Sequence, residues 1–129
     1  HTVLIRSDGS AVACGSNQFG QRTLPEPGEG LTYTQAATGY YHTTLIRSDG
    51  SAVACGRDDE GQCTLPELSD GLTYVQVAAA YHHTVLIRSD GSAVACGMHD
   101  DGPFNFPELS EGLTYVSHCR SLCLQASQQ

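Results

Sequence analysis

The sequence predicts an all-β protein built from three tandem repeats, and three observations carry that prediction. The fifteen residues 1–15 recur unchanged at 83–97 and, with threonine in place of one valine, at 42–56, so that the copies start 41 residues apart. Each copy holds an Asp-Gly dipeptide between two β-prone runs, and no useful stretch has the 3.6-residue apolar period of a helix. A repeat period between 20 and 50 residues is typical of solenoids, propellers and related arrays.

The whole chain, residues 1–129, is predicted to be a single repeat domain. Its units are 1–41, 42–82 and 83–123, followed by a C-terminal tail at 124–129. The first two units are identical at 27 of 41 positions. Because one such unit cannot bury its own apolar face, the units must stack on one another.

Each unit begins with a predicted β-hairpin. In the second unit, residues 42–48 form one strand, Asp49-Gly50 the turn and residues 51–55 the returning strand. Asp-Gly between β-prone runs predicts a type I′ turn, in which both central residues have positive φ. The same dipeptide at Asp8-Gly9 and Asp90-Gly91 predicts three hairpins in all.

The remainder of each unit is predicted to contain a loop, a connector and a third strand. In the second unit a polar loop at residues 57–61 follows Cys55-Gly56, and its equivalents differ almost completely in sequence. The segment Leu65-Pro66-Glu67 is a connector, because proline cannot occupy a central ladder position. The third strand follows Gly-Leu-Thr and is clearest at residues 74–77.

The residues of this repeat resemble a known family. The segments 39–43, Leu45, Asp49-Gly50, Cys55-Gly56 and Gly61-Gln62 are similar to the repeat of the regulator of chromosome condensation family. The short period is closer to that of the three-stranded blades of the propeller-type β-lactamase inhibitor protein and of dinoflagellate-like repeat proteins than to that of the longer four-stranded blades. The resemblance implies a β-propeller in which the repeat histidine bonds mainly within its own blade.

The sequence departs from that family in two ways. Cysteine replaces the usual tryptophan at positions 14, 55 and 96, and three units are present where the family normally closes a ring of seven. Three propeller-blade-like units are expected to form an open arc or partial β-propeller. A closed arrangement of three sheets and self-association into a larger ring are the alternatives.

Composition excludes several classes of function. The formal net charge is −8, with six arginines and no lysine, so a nucleic-acid partner is not expected. No apolar run is long enough to span a bilayer, although peripheral membrane association through a partner stays open. No cofactor, metal site or catalytic group is expected, because the repeat histidines have no paired base or nucleophile in sequence. The spacing of Cys96, His99, His118, Cys119 and Cys123 is not that of a zinc finger.

The second unit alone carries two cysteines eight residues apart, Cys55 and Cys63, on either side of a loop. Such a loop could bring them within disulfide distance, so a Cys55–Cys63 bridge is predicted. A bridge would favour an organelle lumen or the extracellular space, with the cytosol left open. The compartment is otherwise unknown.

The predicted function is that of a non-catalytic protein–protein interaction or scaffold module. A more specific form is an accessory structural subunit docked on a larger assembly, for example a photosystem with its antennae. A lectin-like binder of carbohydrate or a small ligand is the alternative, and the family resemblance adds guanine-nucleotide exchange or a ubiquitin-ligase-associated domain. Divergent loops favour protein docking, because a ligand site repeated three times would keep its loop chemistry.

The predicted interface lies at the two ends of the array, where the repeat is interrupted. A partner protein or a second copy would contact residues at either end: His1, Val3 and Ile5, and Tyr115, Ser117, His118, Cys119, Arg120 and Cys123. The tyrosines are expected to pack within the blades, with a binding platform as their alternative role.

Overall fold

A computed structural model describes residues 1–98 and 104–116, and within them the chain is all-β. The strands are short because proline and glycine interrupt each apolar run. In chain order they are β1 (Thr2–Ile5), β2 (Ala11–Cys14), β3 (Tyr33–Thr38), β4 (His42–Arg47), β5 (Ala52–Gly56), β6 (Tyr74–Ala80), β7 (His83–Arg88) and β8 (Ala93–Gly97). The part of the chain outside these two ranges holds the predicted interface residues Ser117, His118, Cys119, Arg120 and Cys123.

The strands form three antiparallel sheets in chain order. Their compositions are β1-β2, β3-β4-β5 and β6-β7-β8, with the histidine strand β4 or β7 in the middle of each three-stranded sheet. The hairpins pair equivalent residues, since Thr2 faces Cys14, Thr43 faces Cys55 and Thr84 faces Cys96. Three hairpins related by a 41-residue shift were expected, and the structure confirms them.

The hairpin turns differ from the predicted type I′. No described residue other than glycine has a positive φ, whereas Gly50 has a φ of 85°. Gly50 N donates to the Arg47 carbonyl at 2.9 Å, and Arg47 N donates to the Ser51 carbonyl at 2.8 Å. This is a three-residue loop, a type I turn closed by a glycine bulge. The prediction was wrong because a type I′ turn needs positive φ at Asp49, and a third loop residue removes that cost.

Each sheet is joined to the turn of the sheet before it. The backbone N–H of Tyr33 donates to the Gly9 carbonyl at 2.8 Å, and Tyr74 donates to Gly50 at 2.7 Å. Tyr115 repeats the bond, with a distance of 2.9 Å to Gly91. The sheets therefore follow one another as blades of a partial, open β-propeller.

The apolar core lies between the second and third sheets. Ile46, Tyr74, Val77 and Leu86 pack together, and Leu86 is completely buried. Tyr74 and Val77 are three residues apart on β6, and a register shift between Tyr74 and Gln76 allows both to reach this core despite the alternation of the strand. The tyrosine hydroxyls have a polar partner: Tyr74 donates to the Pro66 carbonyl of the connector. Tyr74 thus anchors the connector as well as the core, as expected for a packing tyrosine.

Candidate protein-interaction face

The Asp-Gly turns lie at one end of the sheets, and the other turns and loops lie at the opposite end. Because β4 runs away from the Tyr40-Tyr41 turn and β5 returns, that turn and the loop at residues 57–61 share one end. The Asp-Gly turns lie at the other end. The loop at residues 16–20 and the Tyr81-His82 turn also lie at the first end, because they occupy equivalent positions in their own sheets. We call this first end the loop end.

Buried polar side chains join the sheets just below the loop end. His42 Nε2 lies 2.9 Å from Thr84 Oγ1 in the next sheet, and Thr84 Oγ1 donates to the Gln62 carbonyl at 2.9 Å. All three side chains are fully buried. The same contact joins the first two sheets, because His1 Nε2 lies 2.8 Å from Thr43 Oγ1. We call these histidine–threonine contacts between neighbouring sheets the joints. The repeat histidine therefore bonds to the neighbouring blade, which corrects the expectation of a bond within its own blade.

A buried glutamine folds each of the first two loops, a role that was not predicted from the sequence. The Gln21 side chain accepts from Phe19 N at 2.9 Å, and Gln62 accepts from Glu60 N at 2.9 Å. Both glutamines are fully buried. Their signal in the sequence is the Gly-Gln pair that ends the first two loops, whereas the third loop has Gly-Pro.

One further residue of each loop also supports the fold. Asn17 Oδ1 accepts from Arg22 N at 2.9 Å, and Asp58 Oδ1 accepts from Cys63 N at 2.7 Å. Each side chain thus closes its loop, in the manner of Asx residues in turns. Ser16 Oγ also accepts from the Gln21 side chain at 3.4 Å, whereas Phe19 contributes only its backbone N–H to this closure.

Aromatic side chains line up across the loop end and span all three sheets. Ring centroids are 4.8 Å apart for Phe19 and Tyr41, 5.2 Å for Tyr41 and Tyr40, and 4.4 Å for Tyr40 and Tyr81. His82 extends the row at 6.2 Å from Tyr81. Phe19 is 43% exposed and Tyr40 40% exposed. We call Phe19, Tyr40, Tyr41, Tyr81 and His82 the aromatic face.

Arg57 covers one end of the aromatic face. Its guanidinium carbon lies 5.2 Å from the Phe19 ring centroid and 5.7 Å from that of Tyr41, which is within cation–π range. The same group binds Asp59 in a two-point ion pair, with both N–O distances at 2.6 Å. This contact raises the pKa of Arg57 and lowers that of Asp59. The loop therefore presents a guanidinium that is already paired.

The tyrosines of the aromatic face differ in environment from those of the blade interior. Desolvation, followed by the neighbouring Tyr81 and Tyr41, raises the pKa of Tyr40. Tyr33 and Tyr74, by contrast, are 3% and 4% exposed and belong to the packed interior. Tyr40 lies at the surface, where the alternative role of a binding platform would place it.

The predicted disulfide is not formed in the structure. Cys55 and Cys63 are both free thiols. Cys55 Sγ donates to the Gln21 carbonyl at 3.5 Å, whereas Cys63 Sγ donates to the Arg57 carbonyl at 3.3 Å. The two thiols thus have different partners, one in the joint between sheets and one in the loop. Desolvation, and then Asp58, raises the pKa of Cys63 to about 12.

The described interface candidates lie in different surroundings. His1, Val3 and Ile5 are half-buried, and His1 is engaged in the joint to the second sheet. Leu4, between the last two, is 62% exposed. In the described residues β1 pairs only with β2, whereas β4 and β7 pair on both sides. Tyr115 is half-buried against the turn of the third sheet.

Residues 1–98 and 104–116 contain no cluster of three or more histidine, cysteine or acidic residues able to hold a metal ion. They also contain no helix with the length and apolarity needed to cross a membrane. A cavity of about 290 Å³ lies at the Asp-Gly end of the first sheet, between residues 8–11, 24–27 and 31–33.

Comparison with known proteins identifies the repeat. The regulator of chromosome condensation (RCC1) repeat matches residues 1–21 and 33–62, and no curated protein sequence matches. A structure of Prp20p from Saccharomyces cerevisiae aligns with a TM-score of 0.64 and 22% identity, over 76% of this chain and 28% of that chain. Yeast RCC1 (Prp20) bound to Kap60 gives 0.63 and 22%, over 76% and 28%.

A viral protein shares the fold as well. The C-terminal domain of gp131 from bacteriophage phiKZ aligns with a TM-score of 0.51 and 25% identity, over 70% of this chain and 23% of that chain. The chain thus spans less than a third of the length of each of these solved structures. The matched segments make residues 1–21 and 33–62 similar to RCC1 repeats, and the 41-residue period and the shared fold support RCC1-type repeats along the chain.

Proposed function

We propose that the chain is a non-catalytic module that binds a protein partner through the aromatic face. The observation that carries this proposal is the division of labour within each loop. A buried glutamine and an Asx side chain hold the loop, while Phe19 and Arg57 are presented at its surface. Exposed aromatic side chains with an arginine among them are the composition that protein interfaces favour.

Solved structures of similar fold support a binding role. Prp20p was studied for its binding to Gsp1p and histones, and it has also been solved with Kap60 bound. Each of those partners is a protein. The likeness is one of fold, so the partner of this chain has to be found by experiment.

The proposal includes the setting of the module. The net charge of −8 suits an acidic accessory subunit docked on a larger assembly, for example a photosystem with its antennae. Peripheral membrane association would then come through the partner. Gentle purification of the native protein, with identification of what co-purifies, tests this setting directly.

The aromatic face is tested by removing its exposed rings. A double variant, Phe19→Ala with Tyr40→Ala, is expected to weaken binding of the co-purified partner at least tenfold, because truncated aromatic hot spots each cost about 2 kcal/mol. Val75→Ala is the matched control, since Val75 is 41% exposed and lies outside both the face and β1. If Val75→Ala weakens binding and the double variant does not, the face is not the interface.

The ends of the array are proposed as a second contact. Within the described residues β1 has a strand on one side only, and its other side can accept a strand, as sheet edges do when they pair with another chain. Removal of residues after Ser117 is expected to abolish self-association or partner binding while the first two sheets stay folded. A monomeric full-length chain whose interactions survive this truncation would contradict the second contact.

A further inference from the structure

The proposed function leaves the chemistry of the partner open, and the aromatic face narrows it. Resting on that function, we infer that the face binds a basic, arginine-rich segment of the partner protein. The inference depends on a guanidinium already bound to the face, on rings that continue beyond it, and on the carboxylates beside them.

The first step is the contact that Arg57 makes within the chain. Its guanidinium lies over Phe19 and Tyr41 and is held by both oxygens of Asp59. Only 28% of the Arg57 side chain is exposed. This combination of ring faces and a two-point carboxylate contact is the arrangement that suits a guanidinium better than an ammonium group. The face can therefore hold an arginine, because it holds one of its own.

The second step is the continuation of the row of rings. Tyr40 lies 5.2 Å from Tyr41 and 4.4 Å from Tyr81, measured between ring centroids, and it is 40% exposed. The Arg57 guanidinium contacts Phe19 and Tyr41, so Tyr40 extends the aromatic surface past the intramolecular cation. A second cation can stack there at low cost, because the rings are already in place.

The third step is the charge beside these rings. Glu60 and His82 are the second-unit equivalents of Phe19 and Tyr41. The second loop therefore has a carboxylate where the first loop has an aromatic ring. Within the described residues the Glu60 carboxylate forms no hydrogen bond or ion pair. The loop at residues 57–60 carries three carboxylates against one guanidinium. An arginine stacked near Tyr40 would find an unpaired carboxylate within the same loop end.

Sugars also stack on aromatic rings, but they would gain little from this charge. An oligosaccharide is neutral and does not need Glu60, whereas a basic peptide would use the ring and the carboxylate together. The net charge of −8 adds attraction at long range. The observations therefore favour a basic peptide, and the oligosaccharide becomes an outcome of the test.

The experiment measures binding of labelled octa-arginine to the full chain, with octa-lysine, octa-glutamate and maltoheptaose as comparison ligands. Octa-arginine should bind most tightly and lose affinity as salt rises, and the last two ligands should not bind. Tyr40→Ala should weaken octa-arginine binding about three- to tenfold, whereas Tyr40→Phe should preserve it, because a phenyl face also attracts cations. Circular dichroism and the urea midpoint check that both variants fold.

A matched pair of charge variants separates a site from diffuse attraction. Glu60→Gln and Asp70→Asn each remove one negative charge, but Asp70 lies in an exposed connector outside the loop end. Glu60→Gln should weaken octa-arginine binding several-fold and Asp70→Asn should leave it nearly unchanged. Equal effects of the two, an unchanged Tyr40→Ala variant, or binding of maltoheptaose would each overturn the inference.

The result also distinguishes this inference from the function on which it rests. If octa-arginine does not bind, but the Phe19→Ala, Tyr40→Ala double variant still loses its co-purified partner, the partner uses other chemistry and only the inference falls. If the double variant keeps its partner, the proposed function falls instead.

Discussion

The joints between the sheets and the loops above them lie only a few residues apart, yet they differ in how well their residues agree between units. At the joints the first two units use the same residues, since His1 and His42 bond to Thr43 and Thr84. In the loops, residues 16–19 and 57–60 differ at every position. The difference teaches that the joint is fixed by the need to satisfy buried polar groups, whereas the loop tips are free to differ. Binding is therefore expected at the tips and stability at the joints.

The largest loss of stability is expected where a turn meets the next sheet. A Cβ added to Gly50 would lie 2.3 Å from Thr73 Cβ, and Gly50 also has a positive φ of 85°. Gly50→Ala should therefore lower the free energy of unfolding by about 2–4 kcal/mol, through backbone strain plus overlap with Thr73. Urea unfolding followed by circular dichroism measures this loss.

A second glycine separates the two causes. Gly71 has a φ of 82°, but an added Cβ there would meet nothing within 4 Å. Gly71→Ala should then cost only about 1–2 kcal/mol, which is the backbone strain alone. Equal losses for the two variants would show that the contact between Gly50 and Thr73 does not matter.

The next largest effect is expected from the polar joint. Thr84→Val keeps the shape of the side chain but removes the hydroxyl that contacts His42 Nε2 and donates to the Gln62 carbonyl. Leaving buried polar groups unsatisfied should lower the free energy of unfolding by about 2 kcal/mol. Thr2→Val, the same change on exposed β1, should be close to neutral. A neutral Thr84→Val variant would contradict the structural role of the joint.

The sequence predicted the sheets well because their signal is local. Each unit contains its own β-prone runs and Asp-Gly turn, the pattern recurs after 41 residues, and the structure confirms the three hairpins. The turn type was missed because Asp-Gly does not by itself specify a two- or three-residue loop. Gly50 takes the only strained φ in that turn, and Asp49 avoids it.

The aromatic face could be predicted only in part. Tyr40, Tyr41 and Tyr81 stood out as tyrosines with two possible roles, but the contact of Phe19 with Tyr41 joins the first sheet to the second. A repeat pattern shows which residues are equivalent and not which ones meet across a joint. The bond from His42 to Thr84 was missed for the same reason.

A smaller effect on stability is expected from acid. Hydrogen bonds from the side chain and backbone of Ser10, Ser51 and Ser92 lower the pKa of Asp8, Asp49 and Asp90, respectively. A pKa that is lower in the folded state contributes stability above the unfolded value, and this contribution is lost as pH falls through the folded value. The stability advantage of the wild type over a triple Asp→Asn variant at these positions should therefore shrink below about pH 4. Urea midpoints between pH 2 and 7 measure it, and an advantage that does not change with pH would contradict the role of the three carboxylates.

Alkylation is expected to leave the stability unchanged and to distinguish the cysteines by their reaction rates. Burial raises the pKa of Cys63 to about 12 and that of Cys96 to about 11, whereas Cys14 is exposed. Iodoacetamide at pH 8 should label Cys14 at least about tenfold faster than either, because the thiolate is the nucleophile. If Cys55 and Cys63 resist labelling even in denaturant until a reductant is added, the bridge predicted from the sequence forms after all.

The smallest effect on stability, and the sharpest division between joint and loop, is expected from exchanging two loops. Residues 16–19 and 57–60 would change places, while Gln21 and Gln62 stay. Asn17 and Asp58 play the same part in their loops, each accepting from the backbone N–H five residues later, so the exchanged loops should still close. The free energy of unfolding should change by less than about 1 kcal/mol, as for surface substitutions that leave buried contacts intact. Partner binding should nevertheless be lost, because the exchange removes Phe19 from Tyr41 and carries Arg57 to the first sheet. A variant that unfolds would show that the loop tips belong to the scaffold, and one that still binds would remove the aromatic face from the interface.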